Sequence, residues 1–174
     1  MTRVTLRRPR AEDRDEFVDL ARASRDLHNP WVTAPVNARE FDTYLIRAEA
    51  DDTDCNLVCL RDSGAITGVF NLSQIVHGMS RSTYVGFYAF APFAGQGYMT
   101  EGLRLVLDRV FDELSLHRIE ANIQPDNIAS KRLVARCEFR YEGFSPRYLY
   151  IAGGWRDHER WAITVDERPG ATHR

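Results

Sequence analysis

The sequence has no run of apolar residues long enough to cross a membrane and no charged-then-apolar leader, so neither insertion nor export is expected. Its net charge of −2 lacks the basic excess that nucleic-acid binding requires. The three cysteines, Cys55, Cys59 and Cys137, have neither disulfide-framework nor metal-ligand spacing. They are predicted to be reduced core thiols of a cytoplasmic protein. Lys131 is the only lysine, which we attribute to genome composition.

What is present fits one globular domain. The 174 residues suffice for a single buried core, predicted over about 3–166, with 167–174 as a loose tail. Alternating and β-branched segments predict strands, and 3.6-residue apolar spacing predicts helices. The predicted strands are 3–8, 56–61, 66–75, 84–90, 117–124, 144–151 and 159–166, and the predicted helices are 11–24, 39–49, 99–114 and 127–136.

One stretch, 84–114, organises the chain. Tyr84 to Phe90 is aromatic and β-branched, as strands prefer, and Pro92 ends that strand. Gly95-Gln96-Gly97 then turns the chain into a helix with regularly spaced apolar residues. A glycine turn at a helix start presents free backbone N–H groups at a positive dipole end. This arrangement predicts an anion site, with phosphate as its usual ligand.

Three phosphate-binding patterns compete for this turn. The P-loop pattern needs Lys and then Ser or Thr after its last glycine, whereas Tyr98-Met99 follows Gly97 here. The dinucleotide pattern needs a third glycine where Thr100 stands and an acidic residue at the end of the next strand. Glu120 falls inside that strand. The third pattern is an acetyl-CoA loop of the form Gln/Arg-x-x-Gly-x-Gly/Ala, which Gly97 matches while Ala94 and Met99 depart from it.

Motifs further along the chain distinguish these patterns. In order they are His117-Arg118-Ile119-Glu120-Ala121, then Pro125-x-Asn127-x-x-Ser130, then Phe139-x-x-Glu142-Gly143, then Gly154-Trp155-Arg156-Asp157-His158. This ordered set resembles the branch of Gcn5-related N-acetyltransferases (GNAT) that acetylates the N-terminal amines of ribosomal proteins. The resemblance extends from about Arg7 to Val165.

The resemblance implies an α/β fold with a central mixed, mostly antiparallel sheet, splayed between strands 4 and 5, and about four helices. It also implies acetyl-CoA as cosubstrate, no metal, and direct acetyl transfer to a primary amine in a ternary complex. The residues it implies for the cofactor are Phe87, Tyr88, Ala89, Phe90, Gly95, Gln96, Gly97, Tyr98, Met99, Thr100, Asn127 and Ser130. It implies Trp31 and Tyr88 on the acceptor side, with Ser130 near the thioester sulfur.

The general base is not evident from the sequence. Glu101, Glu120, His28, His77, His117 and His158 are candidates by residue type, and Glu101 is taken with Ser130 as the predicted catalytic pair. His117 and the Asp157-His158 pair are interpreted as structural support between strands. An α-amine of pKa ~8 is roughly a tenth neutral at pH 7, whereas a lysine amine of pKa ~10.4 is neutral less than about a thousandth of the time. The absence of a strong base therefore favours an α-amine acceptor.

The expected partners are CoA and either a protein N-terminus or a small amine, with no direct nucleic-acid or membrane contact. The chain is expected to be a monomer or a homodimer. Two alternatives stay open. The acceptor could be a small molecule such as an antibiotic, a polyamine or an amino acid, or the protein could bind CoA without turnover.

Overall fold

Seven strands form one sheet at the centre of the protein, in a computed structural model that describes residues 2–168. They are β1 (Val4–Arg7), β2 (Asp54–Leu60), β3 (Ile66–Val76), β4 (Ser82–Ala89), β5 (Arg118–Ile123), β6 (Arg140–Ile151) and β7 (Gly154–Thr164). Their order across the sheet is β1-β2-β3-β4-β5-β7-β6. Within these residues only β4 and β5 pair in parallel, which confirms the predicted mostly antiparallel sheet.

The same residues, 2–168, contain five α-helices, one more than predicted. They are α1 (Arg14–Ala23), α2 (Arg25–His28), α3 (Ala38–Ala48), α4 (Tyr98–Asp108) and α5 (Ile128–Arg136). The additional helix is the single turn α2, which follows the predicted helix 11–24 and for which no element was predicted. A π-helical segment, Arg109–Glu113, continues α4, so the predicted helix 99–114 is real but not uniform.

Helices pack on both faces of the sheet and make two apolar cores. On one face, α4 and α5 cover β3, β4, β5 and β7, with Phe70, Leu103 and Ile163 fully buried. On the other face, α1 and α3 cover β2 and β3. There Phe17 lies 5.0 Å from the Phe41 ring and 5.3 Å from the Phe90 ring, measured between centroids. β4 is therefore packed between helices on both faces of the sheet.

The parallel pair β4–β5 is short. Ser82–Tyr84 pairs with Arg118–Glu120, and the pairing stops there although β4 continues to Ala89. Among the described residues, 85–89 have ladder partners on β3 only. The strands therefore splay after Tyr84, as expected, and the backbone groups that would have paired with β5 face a gap.

The final hairpin is longer than predicted. β6 begins at Arg140 and β7 begins at Gly154, joined by a two-residue turn at Ala152 and Gly153 with positive φ at both positions. Two positive φ values fit the twist of a tight hairpin. Trp155 to His158 consequently lie inside β7, whereas the sequence pattern predicted that the last strand begins only at residue 159.

The predicted tail falls mostly on 169–174, which lie outside the described residues. The two described positions at its start make ion pairs. Glu167 contacts Arg140, and Arg168 contacts Asp108 and Asp112 on the α4 side.

A buried ion pair fixes the start of β2. Asp54 is 3% exposed and accepts hydrogen bonds from Arg109 Nε at 2.5 Å and from Asn56 Nδ2 at 3.0 Å. Burial alone would raise the pKa of Asp54, but the hydrogen bonds from Arg109 and Asn56 outweigh burial and the pKa lies below its ordinary value. The pair joins the sheet to the helical segment that follows α4.

Asp54→Ala should lower the free energy of unfolding by about 3 kcal/mol, because it leaves Arg109 without its buried partner. Since the folded-state pKa of Asp54 is lowered, this contribution is present above its ordinary pKa and is lost as pH falls through the folded-state pKa. Urea unfolding at neutral and acidic pH measures both effects. Asp52→Ala, at an exposed neighbour, is the control. Equal stability of the two variants at neutral pH would contradict this role.

Candidate active site

Two pockets meet where β4 leaves β5. The loop pocket, of about 360 Å³, lies between the Gly95–Gly97 turn and α5. The hairpin pocket, of about 350 Å³, lies against β5 and the β6–β7 hairpin. Five residues line both: Trp31, Val32, Phe87, Asn127 and Ser130. The two pockets are therefore adjacent and share one wall.

The turn before α4 has the geometry of an anion site. Gly95 and Gly97 have φ of +75° and +86°, a region that favours glycine, and Gly97 is the residue before the first turn of α4. The amide N–H groups of residues 95–99 donate to no acceptor among the residues that the structure describes. These donors, at the positive end of an eleven-residue helix, can bind a phosphate.

Met99 departs from the family pattern of this loop, and Gly68 on β3 compensates for it. A Cβ built on Gly68 would overlap the Met99 sulfur, so the absence of a side chain there makes room for methionine. The large residue is thus accommodated beneath the loop, and Met99 still lines the loop pocket.

An ion pair from Arg3, the residue before β1, clamps the loop. The Arg3 guanidinium contacts Glu101 Oε1 through Nε at 2.7 Å, and the Arg3 main-chain N–H donates to Glu101 Oε2 at 2.7 Å. Arg3 Nη2 also donates to the Gln96 carbonyl at 2.9 Å, and the guanidinium lies over the Tyr98 ring at 4.6 Å. The residues before β1 therefore hold both sides of the turn.

This clamp bears on the predicted catalytic role of Glu101. The hydrogen bonds from Arg3 hold the pKa of the Glu101 carboxyl below its ordinary value. Glu101 is also absent from the residues that line the loop and hairpin pockets. Its geometry is that of a support for the loop, and the sequence analysis missed its partner Arg3, for which the sequence contains no signal.

At the start of α5, Asn127 and Ser130 lie together as predicted. Asn127 Oδ1 accepts a hydrogen bond from the Ser130 backbone N–H at 3.1 Å, so Asn127 is an N-cap. The Ser130 hydroxyl has no hydrogen-bond partner among residues 2–168 and borders both pockets. A free hydroxyl at this junction can donate to a reacting group.

The end of β4 is fixed from the α1–α2 side. His28 Nε2 donates to the Ala89 carbonyl at 2.8 Å, and Ser24 Oγ accepts from the Ala91 N–H at 2.8 Å. Burial lowers the pKa of His28, which therefore is a neutral donor at this position. His28 is a candidate base by residue type, but its Nε2 already donates to the end of β4.

Most of the predicted cofactor residues line the loop pocket: Phe87, Tyr88, Ala89, Gly95, Gly97, Tyr98, Met99, Thr100, Asn127 and Ser130. Two do not. The Phe90 side chain is fully buried in the core and its N–H donates to the Thr67 carbonyl. The Gln96 side chain donates to the Pro92 carbonyl. Arg132 and Arg136, four residues apart on α5, also line this pocket and were missed.

The predicted acceptor residues separate. Trp31 lies in the wall between the pockets, whereas Tyr88 lines the loop pocket and not the hairpin pocket. The hairpin pocket is lined mainly by aromatic, aliphatic and neutral polar side chains, including Tyr84, Asn122, Gln124, Tyr148, Leu149 and His158. Within residues 2–168, no Asp, Glu, Lys or Arg lines it.

Comparison with known families decides the assignment. The sequence model described as "Acetyltransferase (GNAT) domain" matches residues 3–140, well over half of the chain.

The chain belongs to the GNAT acetyltransferase family.

Named relatives of this GNAT protein are consistent with the fold and the reaction class. It is 38% identical to the [Ribosomal protein uS5]-alanine N-acetyltransferase of Escherichia coli K12, over 63% of this chain and 57% of that one. A solved structure, Mycobacterium smegmatis RimJ in complex with CoA-disulfide, has a TM-score of 0.88 and 30% identity, covering 97% of this chain and 85% of that one.

A more distant structure shares the fold alone. Spermidine N-acetyltransferase from Vibrio cholerae, in complex with CoA and spermine, has a TM-score of 0.81 at 20% identity, covering 95% of this chain and 97% of that one. Two further findings concern the described residues, 2–168. None of their helices is long and apolar enough to span a membrane. All three cysteines, Cys55, Cys59 and Cys137, are buried free thiols, as predicted.

Proposed function

We propose that this GNAT N-acetyltransferase transfers the acetyl group of acetyl-CoA directly to the N-terminal α-amine of a protein or peptide. The observation that carries the proposal is the shared wall of the loop and hairpin pockets at the β4–β5 splay. A thioester entering from the loop pocket and an amine entering from the hairpin pocket would meet at Ser130 and Asn127. Such a meeting point suits a ternary complex without a covalent enzyme intermediate.

The loop pocket supports acetyl-CoA binding. The free N–H groups of residues 95–99 suit the pyrophosphate, and the guanidinium ions of Arg132 and Arg136 add positive charge on the α5 side. Asn127 borders the same pocket beside the start of α5, where the pantetheine arm would pass. When bound, acetyl-CoA supplies the activated acyl group, and the chain supplies its orientation.

The splay supports stabilisation of the developing oxyanion. Backbone groups of β4 after Tyr84 are not paired with β5, so an N–H there is available to the thioester carbonyl. Because His28 and Ser24 fix the end of β4, such a donor needs little reorganisation. Ser130, whose hydroxyl borders both pockets, would donate a proton toward the departing sulfur.

The lining of the hairpin pocket supports an acceptor that has a single amine and no further charged groups. A polyamine carries several cationic groups, which bind best opposite carboxylates. Among the described residues, no carboxylate lines this pocket, whereas Trp31, Tyr84 and Tyr148 offer aromatic walls. A peptide N-terminus needs only one amine at the junction and neutral contacts behind it. The 38% identical relative named for a ribosomal-protein alanine points in the same direction.

A small-molecule amine is the second candidate function. It draws on the spermidine acetyltransferase that shares the fold. At 20% identity, this similarity supports the fold and not the identity of the acceptor. The uncharged lining of the hairpin pocket favours a small amine without additional positive charges.

Gly97→Val should weaken acetyl-CoA binding by about tenfold to a hundredfold, or about 1.4–2.7 kcal/mol. Its φ of +86° is strained for a branched residue, and a Cβ would lie 3.2 Å from Arg3 Nη2 and press on the clamp. Isothermal calorimetry with CoA measures the change. Gly78→Val, in open space without positive φ, is the control. If Gly97→Val bound CoA with wild-type affinity, the assignment of the pyrophosphate to this loop would be wrong.

Ser130→Ala should lower kcat by about 10²–10⁴-fold, the range for loss of an acid–base group, with little change in KM for acetyl-CoA.

Glu101→Gln should keep kcat within about threefold and raise KM for acetyl-CoA, because it weakens the loop clamp and not the chemical step. Steady-state thiol release measures both variants. A large loss of kcat in Glu101→Gln would restore its predicted catalytic role.

Peptides with free N-termini should be acetylated with kcat/KM at least about tenfold above N-terminally blocked, lysine-containing peptides and above small aliphatic amines. The physical reason is the lower pKa of the α-amine combined with a pocket that lacks carboxylates. Thiol-release rates at pH 7 across the three groups test this order. A polyamine or an aminoglycoside with the highest kcat/KM would replace the peptide acceptor with a small molecule.

A further inference from the structure

We propose that His158 is the general base of the reaction, taking a proton from the acceptor amine through its Nε2 atom. This assignment rests on the acetyl-transfer function proposed above. It reverses the interpretation of His158 from sequence, which was structural support between strands.

His158 lies on β7 opposite Ser145 of β6 and is 1% exposed to bulk solvent. It nevertheless lines the hairpin pocket, together with Ser130 on the shared wall. Among residues 2–168, it is the only His, Asp or Glu that lines this pocket. His158 on β7, as the base, and Ser130 on α5, as the proton donor for the sulfur, would therefore line the same pocket.

The hydrogen bond of His158 fixes which ring nitrogen is basic. Nδ1 lies 2.9 Å from the backbone carbonyl of Arg156, and a carbonyl oxygen only accepts, so Nδ1 carries the proton. In the neutral ring Nε2 then holds a lone pair, and it has no hydrogen-bond partner among the described residues. An oriented imidazole with one nitrogen anchored and the other free is the arrangement a general base requires.

The surroundings keep the ring neutral near pH 7. Burial lowers the pKa of His158 below its ordinary value, although the hydrogen bond to Arg156 and the nearby Asp157 carboxylate oppose this shift. From β6, Tyr148 packs edge-on against the ring at 6.2 Å between centroids, and from β4, Tyr84 lines the same pocket. The Arg160 guanidinium, two residues along β7, occupies the space where a side chain at Gly143 would begin.

The other candidate bases have different roles in the structure. Glu101 is clamped by Arg3, and Glu120 is paired with Arg118 at 2.9 Å. The His28 Nε2 donates to Ala89 on the loop-pocket side. His117 is partly exposed beside Asp166, and neither it nor His77 lines the two pockets.

The proton balance of the reaction is complete with His158 and Ser130. The ammonium form of the acceptor gives one proton to His158 Nε2, and the resulting amine attacks the thioester carbonyl. The C–N bond forms and the C–S bond breaks. The Ser130 hydroxyl gives its proton to the departing thiolate, and the Ser130 oxygen then takes the second proton from the nitrogen. His158 releases its proton to solvent, so one ammonium ion and acetyl-CoA give amide, CoA thiol and one proton.

His158→Asn tests this role, because the Asn amide can keep the hydrogen bond to the Arg156 carbonyl while removing the basic nitrogen. At pH 7, kcat should fall by about 10²–10³-fold with KM for acetyl-CoA nearly unchanged. As pH is raised, the kcat of the wild type should reach its plateau by about pH 7. The kcat of the variant should keep rising to about pH 8, where the bound α-ammonium group loses its proton without a base. Their ratio should shrink about tenfold per pH unit over this range.

The matched control is His77→Asn, an exposed histidine outside both pockets, which should keep the wild-type profile. A uniform loss of kcat in His158→Asn with an unchanged pH profile would mean that His158 is structural. If the variant does not fold, as judged by circular dichroism, the wild-type profile decides alone, since a kcat that rises up to pH 8 excludes a histidine base. If no peptide is acetylated, the acceptor assignment fails, and the same comparison with the best amine of the panel still tests His158.

Discussion

The separation of β4 from β5 after Tyr84 is the constraint on which the rest of the site depends. A parallel ladder that continued to Ala89 would satisfy the β4 backbone and close the gap between the two halves of the sheet. Because the ladder stops, buried backbone groups need other partners, and His28 and Ser24 provide some of them from the α1–α2 side. The remaining gap is where the loop and hairpin pockets meet. Helices on both faces hold the two halves of the sheet in this open arrangement.

Among residues 2–168, the charged side chains lie around this gap and do not line the hairpin pocket. Ion pairs hold the supports: Arg3 with Glu101 beneath the loop, Asp54 with Arg109 at the start of β2, and Arg118 with Glu120 and Glu142 across the last strands. The loop pocket has free N–H groups and two arginines, which suit phosphates. The hairpin pocket has neutral walls. The two halves of the cleft therefore differ in the kind of ligand that they favour.

Much of this could be predicted from the sequence because it depends on local chemistry. The strand, glycine turn and helix of 84–114 follow from periodicity and from the conformational needs of glycine, and the Asn127–Ser130 spacing follows from helix geometry. Contacts between distant segments could not be predicted. Arg3 and Glu101 are 98 positions apart, and Gly68 makes room for Met99 from another strand. The hairpin was predicted too short because Ala152 adopts a positive φ that its sequence does not signal. His158, predicted to precede the last strand, therefore lies within β7 and lines a pocket.

The wall formed by Trp31, Val32, Phe87, Asn127 and Ser130 belongs to both pockets, and this sharing has a thermodynamic consequence. A ligand in one pocket that orders these side chains reduces the entropy that a ligand in the other must lose. Linkage makes the effect reciprocal, so each ligand changes the affinity of the other by the same factor. Ligands bound in the two pockets would then be coupled through these five residues, with no need for movement of the sheet.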